Sequence, residues 1–316
     1  MDHRLTVGVD IGGTKLLAGV VDVQGVVVDR MRRDTPSTSP TATEETIIEV
    51  VSELSARHDV VAVGIGAAGF IDADRSSVRF SPHLAWREEP LREVIGGRTG
   101  LPVVIENDAN AGAWAEYRFG AGRGAPVLAC VNLGTGIGGG VVVDGVLQRG
   151  GYGMAAEFGH MTVVPDGRRC ECGNRGCWEQ YVSGNALARE ARELAGSNSP
   201  VAQGLLARAG GDAAAITGPV VTAAAQEGDP AAIELFQDMG RSLGLGLASL
   251  AAVLDPTLFV IGGGVSAAGE LLLGPARDVF KRSLTGRGYR PEAPVVAAEL
   301  GNDAGFIGAA DLARGT

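Results

Sequence analysis

One imidazole and three thiols crowd into the segment Glu157-Phe-Gly-His160-x9-Cys170-x-Cys172-Gly-Asn-Arg-Gly-Cys177-Trp-Glu179. His160, Cys170, Cys172 and Cys177 supply the full tetrahedral set for zinc, and four protein ligands leave no open position for water. The expected metal is therefore structural: it pins an otherwise irregular loop and orients Glu157 and Glu179, the two acids that bracket it. Cys130 lies in an apolar run and reads as a core residue. His3, His58 and His83 have no partner at ligand spacing and read as surface or loop residues.

Two glycine loops suggest phosphate chemistry. Asp10-Ile-Gly12-Gly13-Thr14-Lys15 places a carboxylate at a predicted strand end, beside backbone N–H groups that no side chain screens. Gly134-Thr135-Gly136-Ile-Gly138-Gly-Gly140 opens the other half of the chain in the equivalent place, and two such nests facing each other suit a triphosphate. Gly134-x-Gly136-x-x-Gly139 and Gly64-x-Gly66-x-x-Gly69 also match the dinucleotide fingerprint. Their context rejects that reading, because each leads into an apolar strand where a Rossmann turn must open a helix. A P-loop is excluded as well: the only lysines are Lys15 and Lys281, and neither follows a glycine. In Glu106-Asn107-Asp108-Ala-Asn110 a predicted strand ends and a helix begins, with a carboxylate and two amides expected to point outward and able to grip hydroxyls. The same segment also reads as plain helix capping by Asn107, with Asp108 at the positive end of the dipole.

The elements that must position these groups follow an α/β pattern. Leu5–Asp10, Leu16–Val21 and Val26–Met31 read as a three-stranded meander, and Val60–Gly66 and Pro102–Glu106 as further apolar strands. Thr41 with Glu44 predicts a capping box opening a helix to about Arg57, and Asn107 caps a helix over Asp108–Phe119. Later come a long helix from about Pro230 to Val253, a strand Leu258–Ile261 running into Gly262-Gly263-Gly264, and a last helix capped by Asn302. Asp10-Ile-Gly and Asn132-Leu-Gly stand 122 positions apart, as do Asp22 and Asp144, so the opening strand–turn–strand unit predicts a duplicated domain. With Gly120–Pro126 as the connecting loop, the expected division is a smaller domain of 1–121 plus 301–316 and a larger one of 122–300.

Composition narrows the class of partner. The chain has 316 residues and a net charge of −10, which disfavours nucleic acid and acidic membrane and favours a small ligand. Asp2, Arg4, Asp10 and Lys15 interrupt every early apolar run, so no secretory signal is expected and the predicted location is cytoplasmic, with thiols reduced. The uncharged run Gly124 to Val143 holds Pro126, Asn132 and several glycines, and reads as two strands and a turn, not as a membrane helix.

Taken together, these constellations resemble the ROK group of sugar kinases and repressors, within the superfamily of hexokinase, actin and the chaperone ATPases. Asp10–Lys15 is similar to the family's first phosphate motif and Leu133–Gly140 to its second. Ile261–Gly264 is similar to its adenosine-side motif, and Glu157 through Glu179 to its zinc signature. The resemblance implies two duplicated actin/hexokinase-like (ribonuclease H-like) α/β domains around a central cleft. It implies Asp108 as catalytic base, with Gly69, Asn107, Glu157, His160 and Glu179 at the sugar. ATP would lie against Asp10, Gly12, Gly13, Thr14, Lys15, Gly134, Thr135, Gly136, Gly138, Gly262, Gly263 and Gly264, with catalytic Mg²⁺ and structural Zn²⁺. Glu157-Phe-Gly-His160, lacking a proline, looks more like the glucokinase branch than the fructokinase branch, which implies phosphorylation of glucose on its C6 hydroxyl. The alternatives are a kinase for N-acetylglucosamine, N-acetylmannosamine, mannose or fructose, a non-catalytic sugar-responsive regulator, and a chaperone-like ATPase. Repressor members carry a helix-turn-helix ahead of the first glycine motif, for which a motif starting at position 10 leaves no room. A homodimer or homotetramer is expected, as is domain closure about the Gly120–Pro126 and Gly301 crossings.

Overall fold

The computed structural model describes residues 4–197 and 199–315; His3 lies outside them. The predicted meander is present as β1 (Leu5–Ile11), β2 (Lys15–Val21) and β3 (Val27–Asp34), paired antiparallel with Asp10 opposite Leu17. β1 and β2 are apolar and largely buried, whereas the edge strand β3 is studded with Asp29, Arg30, Arg32, Arg33 and Asp34, charges that blunt further strand pairing.

The chain continues through α1 (Pro40–Arg57), β4 (Val60–Ala67), the short strands β5 (Phe70–Ile71), β6 (Val78–Phe80) and β7 (Arg87–Glu89), then α2 (Leu91–Thr99), β8 (Val103–Asn107) and α3 (Asp108–Phe119). β4 pairs parallel with β1 and with β8, giving a first sheet of order β3-β2-β1-β4-β8. The start of α1 differs from the expected capping box. Ser39, not Thr41, is the cap, accepting from the Ala42 N–H, because Pro40 supplies a ready-made first helical residue. Glu44 lies instead beside Glu89 and Glu45; partial burial and those charges raise its carboxyl to about 7.

A second sheet repeats this plan. β9 (Val127–Leu133) and β10 (Ile137–Val143) each begin and end 122 residues after β1 and β2, and replace the uncharged run that could have been mistaken for a membrane span. With β11 (Val146–Leu147), β12 (Leu258–Gly262) and β13 (Val295–Ala297) the order is β11-β10-β9-β12-β13. Here too the outer hairpin is antiparallel and the inner pairs β9·β12 and β12·β13 are parallel. Between β11 and β12 come the metal-ligand loop, α4 (Glu179–Val182), α5 (Gly184–Gly196), α6 (Gln203–Arg208), α7 (Gly218–Gln226) and α8 (Pro230–Leu254). After β12 come α9 (Glu270–Ser283) and α10 (Ala304–Ala313). Asn302 falls in a 3₁₀ turn and does not cap α10, whose flanking Asp303 makes no side-chain cap hydrogen bond either. None of the described helices is long and apolar enough to cross a membrane.

The chain divides into two compact units. One comprises the chain up to Pro126, Gly140–Ala156 and the chain from Glu299 on; the other comprises Val127–Gly139 and Glu157–Ala298. In the first unit α1 and α2 cover one face of the sheet over Val7, Val9, Ile47, Leu54, Ile65 and Ile105. On the other face α10 approaches so closely that a Cβ at Gly8 would stand 1.8 Å from the Phe306 carbonyl oxygen. A Cβ at its ladder partner Gly64 would stand equally close to that of Ala309. Part of the glycine excess therefore serves helix-on-sheet packing in addition to loops. In the second unit Asp229 caps α8 through the Ala232 N–H, and Gly246 in that helix makes room for the buried Trp178 ring.

Candidate active site and metal centre

In the first unit, the β1–β2 turn is closed by the Gly12 N–H donating to the Lys15 carbonyl at 3.0 Å. Asp10, the last residue but one of β1, lies against the first turn of α10, where a Cβ on Gly305 would meet its carboxylate at 2.5 Å. Asn107 ends β8 and caps α3 as the sequence predicts: its Oδ1 accepts from the Asn110 N–H at 3.0 Å. Its Nδ2 donates to the Gly69 carbonyl at 3.2 Å and retains a second N–H for a substrate. Gly69 itself has φ of 139°, and the Phe80 carbonyl occupies the space a side chain would need.

The segment Glu106–Asn110 does not present all its polar groups outward. Asn110 is buried and its Nδ2 donates to Glu106 Oε1. Glu106, only 1% exposed, takes the Asn107 N–H on the same oxygen. Its Oε2 is held by Arg75 (Nη2 at 2.8 Å, Nε at 3.1 Å) and lies 2.9 Å from Arg149 Nε. Arg149 in turn donates to the Asp72 and Ala73 carbonyls. A buried, fully occupied carboxylate thus fixes the strand-to-helix turn, and Asp108 is the acid left at the rim, half-buried, with Oδ1 accepting from the Ala109 N–H.

Helix-dipole reasoning alone favours an ionised Asp108. Burial wins: it raises the Asp108 carboxyl above its ordinary value, against the Ala109 and Asp108 N–H groups and the His83 charge, which lower it. Asp10 is raised to about 7 by burial first and the Asp108 charge second, with Lys15 opposing. Two neighbouring acids of elevated basicity are suited to handling a hydroxyl proton.

In the second unit the four metal-ligand residues converge. One ligand atom from each of His160, Cys170, Cys172 and Cys177 lies within 4.8 Å of all the others. Cys172 and Cys177 Sγ are 3.6 Å apart, and Cys170 Sγ and His160 Nδ1 3.8 Å. A tetrahedral ion with bonds of about 2.0–2.3 Å has ligand-to-ligand edges of about 3.5–3.8 Å, which these two separations match, so the one imidazole and three thiols form a donor set that suits a metal ion such as zinc. Backbone bonds hold the loop in register, with Val163 N–H to Gly176, Gly176 N–H to Arg168 and Trp178 N–H to Met161. Trp178, buried and donating to the Ser242 carbonyl at 3.1 Å, anchors the residue before Glu179.

Glu179 Oε1 accepts from the Cys170 thiol at 2.9 Å, and a Cβ on Gly136 would meet Oε2 at 2.7 Å, which brings the metal loop and the second glycine loop together. The third motif joins them. The Gly262–Asn132 register places Gly263, at φ of 83°, where a side chain would strike the Leu133 backbone. The Gly134 carbonyl accepts the Gly184 N–H at the start of α5.

The model of the ROK family matches residues 6–316. The chain belongs to the ROK family. Among its ROK relatives, the glucokinase of Streptomyces coelicolor is 50% identical over 98% of both chains. That of Thermotoga maritima is 37% identical over 98% of this chain and 96% of its own. The crystal structure of a ROK glucokinase from Streptomyces griseus in complex with glucose and AMPPNP superposes with a TM-score of 0.91 at 51% identity, covering 99% of this chain and all of that one.

Against this ROK framework, sequence reading missed Arg75 and Arg149. They lie far from Glu106 in sequence, and no local spacing couples them; Arg75's positive φ of 56° is visible only in the fold. His58 is not unpartnered, since its Nε2 lies 2.9 Å from Asp29 Oδ2. His83, read as a loop residue, is on an exposed turn against Gly13.

Proposed function

We propose that this protein is a glucokinase, transferring the γ-phosphoryl group of ATP to the C6 hydroxyl of glucose. The observation that carries the reading is full-length likeness to glucokinases at 50–51% identity, across both units. Asp108 accepts the O6 proton as that oxygen attacks phosphorus in line, and the raised basicity of its carboxylate strengthens it as a base. Asn107, Gly69, Glu157, His160 and Glu179 bind the sugar. The glycine loops bind nucleotide phosphates through backbone N–H groups, and Gly262–Gly264 lie toward the adenosine. Asp10 would orient Mg²⁺ or its waters, and that ion would supply charge neutralisation to the polyphosphate. Zn²⁺ on His160, Cys170, Cys172 and Cys177 is structural, with no position open for a reacting water.

The decisive substitution is Asp108→Asn. An amide still bonds a hydroxyl but cannot take its proton, so kcat falls by about 10²–10⁴ while glucose affinity stays within several-fold. Turnover near that of the unsubstituted protein, in an assay coupled to glucose 6-phosphate formation, would remove Asp108 from the mechanism.

A further inference from the structure

His83 stands on the turn between β6 and β7, exposed between buried anchors: Ser81, Leu84 and Trp86 are 0%, 3% and 0% exposed. The turn is rigidly held. Ser81 Oγ accepts the Leu84 N–H at 3.1 Å, the Ser37 carbonyl accepts the Ala85 N–H at 2.9 Å, and Arg87 Nη1 donates to the carbonyls of Ser81, Leu84 and Trp86. This turn leans on the first glycine loop, where a Cβ on Gly13 would stand 3.0 Å from His83 Cβ and 3.8 Å from Cγ. A side chain at position 13 would therefore push the histidine away. Among the described residues no hydrogen bond of the His83 ring is found, so its polar atoms are unspent, whereas His58 is committed to Asp29 and His160 to the metal set. The ring also acts electrostatically on Asp108.

We propose that His83 is a catalytic residue of the phosphoryl transfer, a ring N–H donating a hydrogen bond to an oxygen of the phosphoryl group in transit. This rests on the kinase reading above. In the step, the bond from O6 to γ-phosphorus forms and the bond from γ-phosphorus to the β–γ bridging oxygen breaks. The electron pair leaves with ADP, and the O6 proton goes to Asp108. His83 neither gains nor loses a proton; it stabilises charge on the non-bridging oxygens.

The test compares unsubstituted protein, His83→Ala and His83→Gln at saturating ATP over a range of glucose concentrations, recording kcat, KM for glucose and thermal midpoint. Loss of one preorganised donor lowers kcat of His83→Ala by roughly 10²-fold. KM for glucose and the midpoint remain unchanged, because the side chain is exposed and bears on neither the core nor the sugar. His83→Gln, which keeps an N–H donor, recovers most of the lost rate. A kcat within twofold in His83→Ala overturns the proposal. So does a loss confined to KM, a loss that tracks a fallen thermal midpoint, or a Gln variant as slow as Ala. If the unsubstituted protein phosphorylates no hexose, the kinase reading itself fails; a defect-free His83→Ala in an active kinase fails only this inference.

Discussion

Asp10 and Asp108 are two like charges that the first unit keeps close, and burial makes each reluctant to ionise. For Asp10 the consequence can be signed. Its carboxyl holds a proton up to about pH 7 in the fold but only to its ordinary value of 3.8 when exposed, so the folded state binds the extra proton between those values. Stability therefore falls as pH rises through that window and levels off above it. Asp10→Asn removes the ionisation, and its thermal midpoint should exceed that of the unsubstituted protein at about pH 8 and lose the advantage near pH 4, while turnover collapses. A midpoint difference that does not change with pH would show that Asp10 ionises freely in the fold. Spacing placed this acid near a strand end, but not its reluctance, which comes first from burial in the folded unit and second from Asp108, almost a hundred residues away. His83 was hidden for the same reason: its neighbour is Gly13, and only the fold brings the two together.

The strand-to-helix turn at Asn107 is the element that aims Asp108, and Glu106 is its fastening. Glu106→Gln leaves Arg75 and Arg149 facing a neutral amide in a dry site, which should destabilise the protein by about 3–5 kcal/mol. Denaturant titration checks this; a change below about 1 kcal/mol would mean the cluster is wetter than its 1% exposure implies. The metal loop makes a parallel case. Cys172→Ser should abolish stoichiometric zinc, lower stability by several kcal/mol and weaken glucose binding, because the loop that the metal pins runs from Cys177 through Trp178 directly into Glu179, which then loses its frame. Elemental analysis and calorimetry decide it, and a zinc-free variant with full glucose affinity would contradict the proposed role. Element by element, the legible features were those set locally. Asn107 capping over Asp108–Phe119 and the repeat of β1 and β2 as β9 and β10 could be read from short spacing. The helix starts at Ser39 and beside Asp303 could not, because Pro40 and a 3₁₀ turn outcompeted the side chains expected to cap them.

On the scale of the whole molecule, a duplicated sheet order is legible from an offset of 122 residues because each half begins with the same strand–turn–strand unit. What the offset hides is the insertion of the metal loop and α4–α8 in the second copy, and the use of Gly140–Ala156 by the first unit. Substrate choice also belongs to this scale. Glu157, His160 and Glu179 are proposed to bond neighbouring ring hydroxyls, and replacing one hydroxyl by an acetamido group leaves a carboxylate without its partner. Such a loss discriminates far more strongly than a misfitted methylene. The most direct measurement is therefore a coupled assay of ATP-dependent phosphorylation across glucose, mannose, fructose, N-acetylglucosamine and N-acetylmannosamine. Glucose should give the highest kcat/KM, with N-acetylglucosamine at least about tenfold lower. An acetylated hexosamine equal to or better than glucose would contradict the substrate assignment, and a panel in which no hexose is phosphorylated although one binds would contradict the kinase itself.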